Sequence, residues 1–454
     1  MAVIDKIRPY LGDKQFYLTV ATVAVPISLQ GLITIGVNMM DTIMLGSLGE
    51  TALSASSLAN QFINIFHICC MGIGMGASVL TSRFWGMQDR HSLRKAITIM
   101  LRLCLVIASL FTAATILTPR GLMAIYTQEE PIIQAGAGYF RWSIPCYLLL
   151  GLSLTCTIVL RSVGQVRLPL LSSIGAFFVN IFFNYTFIFG KLGAPAMGVE
   201  GAALGTLISR AFEFAVICGY FFLIDQKIGY RLGHLFLKCG DLVGDYLRVS
   251  IPVLVSDALL ALGNSAVAMV MGRIGSSFVS ANAITTVTQQ LSTVFIQGIS
   301  NASAIITGHT LGQGDTEKAQ RQGVTFLGLG ALIGILAGGL IMVISGPIIG
   351  CYSINAETQN IAVQLMMAVG VIVIFQSMNS ILTKGVLRGG GDTKFLMLAD
   401  ILFLWVASIP LGALAGLWWH LPAFWIYTFL KIDQFIKAIW CVFRLGSKKW
   451  IKKI

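Results

Sequence analysis

Apolar residues run along this chain in blocks of about twenty, separated by short stretches rich in Gly, Asp, Arg and Lys. A helix needs about 20 mostly apolar residues to cross a bilayer. The pattern predicts twelve spans, near 16–44, 51–80, 96–118, 133–159, 168–190, 200–223, 249–272, 277–307, 322–346, 359–384, 395–417 and 422–443. The strict alternation that marks a membrane β-barrel is missing from these blocks. An even number of spans puts both termini on one side.

Composition sharpens the reading. Hydrophobic residues make up 56% of the 454, charged residues 11%, and mean hydropathy is +0.82. Soluble domains carry about 25% charged residues. A soluble enzyme, a disordered chain and a fibre are excluded, and an all-α polytopic membrane protein is expected. The net charge of +12 would suggest nucleic acid in a soluble chain. Here the basic residues sit in short loops, so no nucleic-acid partner is expected. Cytoplasmic loops retain Lys and Arg. With both termini inside, the outer loops and adjoining helix ends hold only Arg120, Arg141, Lys191 and Arg273. The expectation is a multi-pass protein of the cytoplasmic membrane with cytoplasmic termini. The tail lysines 448, 449, 452 and 453 would then rest on anionic headgroups.

The chain is also written twice. Residues 26–96 align with 252–322 at an offset of 226, without a gap and with 11 identities in 71 positions, among them Pro26/Pro252, Asn38/Asn264, Gly86/Gly312 and Asp89/Asp315. At an offset of 227, LRSVGQVR (160–167) matches LRGGGDTK (387–394), so a one-residue indel intervenes. Two six-helix lobes follow, 1–230 and 231–454, related by a pseudo-two-fold axis along the membrane normal. Architectures of this kind bind substrate between or within their halves and move one against the other.

A polar group in hydrocarbon is costly unless it meets a partner or a wet cavity. Gln30, Thr34, Asn38 and Asp41 lie on one face of span one, since they step by 4, 4 and 3. Span two carries Ser57, Asn60, Asn64 and His67, span five Asn180 and Asn184, and span eight a long series that includes Gln289. Such stripes are either glue between helices or the lining of a cavity, and their length favours a cavity. Asp41 is the most telling charge. An isolated carboxylate there costs ~2.5–3.5 kcal/mol, and either takes up a proton or holds a cation such as sodium. Asp257 and Asp400, in the second half, are candidates for ion pairing and for the cavity wall. Arg210 with Glu213, and Asp433 with Lys437, are spaced to pair on their own helices. Pro26 and Pro252 mark a kink in the corresponding helix of each half. Soluble catalytic motifs, CxxC pairs and His/Cys metal clusters are absent from the sequence, so neither an enzyme nor a resident cofactor is expected. Without a nucleotide site, pumping must draw on an ion gradient.

Twelve spans in two halves, Pro26 and Asp41 on span one, and the paired loops LRSVGQVR and LRGGGDTK together resemble the multidrug and toxic compound extrusion (MATE) family over essentially the whole chain. The resemblance implies a V-shaped pair of lobes, antiport coupled to H+ or Na+, and export of small organic cations by alternating access. It is strongest to the branch with a coupling Asp on span one. That branch implies a coupling set of Asp41, Asn180, Asn184 and Thr206, with Asn184 standing where an Asp is usual. Tyr139 reaches the same level from span four. The chain is read as a monomer in the lipid bilayer. A flippase for a lipid-linked precursor is the alternative, and Lys384, Lys431 and Lys437 are the residues that would support it.

Overall fold

The computed structural model describes residues 12–350, 352 and 354–452; Lys453 of the basic tail lies outside them. Every described regular element is helical. In chain order the long helices are α1 Lys14–Gly46, α2 Glu50–Gly86, α3 Arg90–Leu117, α4 Glu130–Ser162, α5 Arg167–Phe189, α6 Val199–Ile224, α7 Gly240–Ile274, α8 Ser276–Gly312, α9 Thr316–Gly350, α10 Ala356–Leu387 and α11 Thr393–Trp418. The last, α12, comes in two pieces, Ala423–Leu430 and Ile432–Gly446. Each predicted span falls on one of these helices. Ten of them are long and apolar enough to cross a membrane. The other two are α8, which carries the polar series of span eight, and α12, which is broken at Lys431.

The repeat is visible in the helix starts. Lys14 and Gly240, Glu50 and Ser276, Arg90 and Thr316, and Glu130 and Ala356 are each 226 apart. Pro26 and Pro252 are therefore the thirteenth residue of their helices. Asp89 and Asp315 match because each caps the helix that follows. Asp89 Oδ1 accepts from the backbone N–H of His91 and Ser92, and Asp315 Oδ1 from that of Lys318 at 2.8 Å. Gly86 and Gly312 match because they meet: a Cβ on Gly86 would strike the His309 carbonyl, and one on Gly312 the Arg83 carbonyl. The extra residue in the second half has a physical home as well. The end of α10, Ile381–Leu387, is π-helical, whereas the corresponding end of α4 is an ordinary α-helix. A π-bulge is how a helix absorbs one inserted residue.

The chain forms two compact units. The first is Leu29–Thr81 with Asp89–Ser250. The second is the described chain up to Ser28, Ser82–Gln88, and Ile251 onward. In lipid, helices associate through close packing and buried hydrogen bonds more than through hydrophobic exclusion. In the first unit Phe62, Phe66, Phe111 and Tyr147 stack edge to face or tilted. Tyr147 in turn accepts from the Thr115 hydroxyl at 3.0 Å. In the second unit α9 and α10 touch where Gly338 meets the Gly370 carbonyl. The basic tail is docked there. Trp450 is buried and donates to Gln320 at 2.8 Å, the Lys452 N–H reaches the Gly390 carbonyl, and Arg83 holds the Lys452 carbonyl at 2.6 Å. Lys448 and Lys449 remain at the surface, while Lys452 turns to Asp392 at 3.4 Å.

Candidate functional site

The first unit brings the span-one carboxylate against span five. Asn184 Nδ2 donates to Asp41 Oδ1 at 2.5 Å and to Asn180 Oδ1 at 3.2 Å. Asn180 and Asn184 are one turn apart on α5 and both are buried. Asn184 fits because its neighbour on α6 is Gly205, where any Cβ would collide with Asn184 Oδ1. That carbonyl oxygen is buried and accepts no hydrogen bond. Thr206 follows Gly205 and is half-buried, outside the hydrogen-bonded set. Tyr139, on α4, is buried and donates to Asn60 Oδ1 on α2 at 3.4 Å.

Charges surround this cluster. Arg210 is ion-paired to Glu213 on α6 at 2.8 Å, as their spacing suggests, and lies within electrostatic reach of Asp41, Tyr139 and His67. Thr34, Asn38, Asn60 and Asn64 are exposed, a polar and accessible surface on otherwise apolar helices. Gln30 departs from that surface. It is buried, its amide N–H groups go to the Pro169 carbonyl at 2.8 Å and Ser173 Oγ at 2.9 Å, and its oxygen takes Arg161. Gln30 thus locks α1 to α4 and α5.

In the second unit the acidic candidates are paired. Asp400 accepts from Ser256 at 2.5 Å and from Lys437 at 3.0 Å. Lys437 also holds Asp433 at 3.0 Å, the i, i+4 pair expected from spacing. Asp257 faces Arg388 at a looser 3.6 Å. Gln289 donates to Gln376 at 2.7 Å. The sequence reading did not find the partners Arg161, Ser256 and Gln376, whose helices are far apart in the chain and carry no pairing signal.

One relationship decides the family. The MatE profile matches residues 26–186 and again 252–414, two copies whose starts are 226 residues apart. The chain belongs to the MATE family. MATE proteins are membrane transporters, so this chain is a transporter and not an enzyme. It is similar to the probable multidrug resistance protein NorM of Thermotoga maritima, 26% identical over 419 residues that cover 91% of this chain and 89% of that one. It is also 23% identical to the uncharacterized transporter YisQ of Bacillus subtilis, over 97% and 96% of the two chains. An outward-facing multidrug resistance MATE transporter of the MOP superfamily shares its fold, with a TM-score of 0.86, 19% identity and 98% of each chain covered.

Among the described residues no group of three or more His, Cys, Asp or Glu could hold a metal ion. The cluster at Asp41 offers one carboxylate and neutral oxygens.

Proposed function

We propose that this MATE protein is a proton-coupled antiporter that exports small organic cations across the cytoplasmic membrane, with both termini cytoplasmic. The relatives named as multidrug resistance proteins support the cargo class. The observation that carries the coupling is the Asp41–Asn184 hydrogen bond beside the unfilled Asn184 carbonyl. Ionised Asp41 accepts the Asn184 N–H. Protonated, it becomes a donor and needs an acceptor, which the Asn184 and Asn180 oxygens supply after the amides reorient. The two protonation states thus favour two side-chain arrangements at the meeting of α1, α5 and α6. An ion shifts a conformational equilibrium only through such differential affinity. Pro26 and Pro252 supply the bends about which the corresponding helices move.

The test is efflux of a fluorescent organic cation from vesicles that contain the purified protein, under an imposed proton gradient or an imposed sodium gradient. Efflux driven by the proton gradient and lost in Asp41→Asn supports the proposal. Efflux driven only by sodium overturns the choice of ion. Full efflux in Asp41→Asn overturns the site.

A further inference from the structure

The second unit has more cationic donors than acceptors at one place. Lys384 sits in the π-helical end of α10 and is exposed, while its neighbours Thr383 and Gly385 are buried. It makes no hydrogen bond or ion pair, although Asp257 and Asp400 lie within electrostatic reach. Four residues on, Arg388 is buried and its Nε has no acceptor. Its guanidinium touches only Asp257, at 3.6 Å. Asp400 is already engaged by Ser256 on one oxygen and Lys437 on the other.

Two neighbouring cations with free donors call for an oxyanion. A planar guanidinium beside an ammonium suits a carboxylate or a phosphate. The acidic side chains nearby, Asp257 and Asp400, already face Arg388 and Lys437. We infer that Lys384 and Arg388 form an oxyanion site in the second unit, which takes a carboxylate or phosphate carried by the cargo. The inference deepens the proposed export by naming a second chemical group on what is carried. It rests on that reading for the direction of transport only. Binding stands independently.

The experiment is therefore a binding measurement without any gradient, on the full-length protein in nanodiscs of zwitterionic lipid. The probes are a cationic fluorescent dye with a free carboxylate and its methyl ester. The wild type is expected to bind the acid at least about tenfold tighter than the ester, the scale of a charge-assisted hydrogen bond. Lys384→Gln should remove that preference with ester binding unchanged, and Lys384→Arg should keep most of it. Equal binding of acid and ester by the wild type overturns the site without recourse to any variant. A preference that survives in Lys384→Gln overturns it too. Repeating the titration in phosphatidylglycerol nanodiscs separates the sources. Competition by that lipid in the wild type but not in Lys384→Gln assigns the site to a headgroup phosphate, and no competition assigns it to soluble cargo.

Discussion

Asn184 gives its side-chain N–H to Asp41 across 2.5 Å while its own buried carbonyl oxygen receives nothing. Half of the amide is thus committed to the carboxylate and half is left unfilled. An unsatisfied buried acceptor costs roughly 1–3 kcal/mol. A fold keeps such a group where another state fills it.

Gly205 holds that arrangement open. Gly205→Ala would drive a methyl group into Asn184 Oδ1, and overpacking of this kind costs about 1–3 kcal/mol. The variant should unfold at lower temperature in detergent and lose most of its export, because Asn184 can no longer sit against Asp41. Thermal unfolding and vesicle efflux on the same preparation check both parts.

In the second unit the charges at Lys437 should matter for stability first. Lys437 is buried and bridges Asp400 and Asp433. Removing one partner of a buried ion pair costs about 3–5 kcal/mol. Lys437→Met should therefore sharply lower the unfolding temperature. Adding Asp400→Asn and Asp433→Asn should recover much of the loss, since the uncompensated charges go with them. A triple variant no more stable than the single one would contradict this account.

Asp89 offers a test outside the spans. Hydrogen bonds from Ser92 and His91 hold its carboxyl below the ordinary carboxylate range. Its folded value is depressed, so its contribution is present above the unfolded pKa near 4 and fades as pH falls through the folded one. Asp89→Ala should cost about 1 kcal/mol at neutral pH. The difference from wild type should shrink in acid, as unfolding curves at pH 7 and pH 3 would reveal.

The spans, their order and the repeat were legible because each rests on local signals: apolar blocks, loop residues and capping aspartates at matched positions. The i, i+4 pair Asp433–Lys437 and the i, i+3 pair Arg210–Glu213 were legible for the same reason. Contacts between distant helices were not. Gln30 read as one step of a polar stripe, yet its partners Arg161, Pro169 and Ser173 lie more than 130 residues away. Asp257 and Asp400 showed as rare charges, but nothing in their spacing revealed Arg388, Ser256 or Lys437 as partners. The π-helical turn that sets Lys384 apart left one trace, the shift of the repeat offset from 226 to 227.

The most direct test of the central claim, that Asp41 is the coupling carboxylate, is proton release on substrate binding. Purified protein in weakly buffered detergent solution would be mixed with a saturating organic cation, and the pH followed with an indicator dye. The account predicts proton release by the wild type, since cargo and proton affinities are reciprocally linked, with none in Asp41→Asn although the cation still binds. Equal release by the two proteins would contradict it and move the coupling group elsewhere.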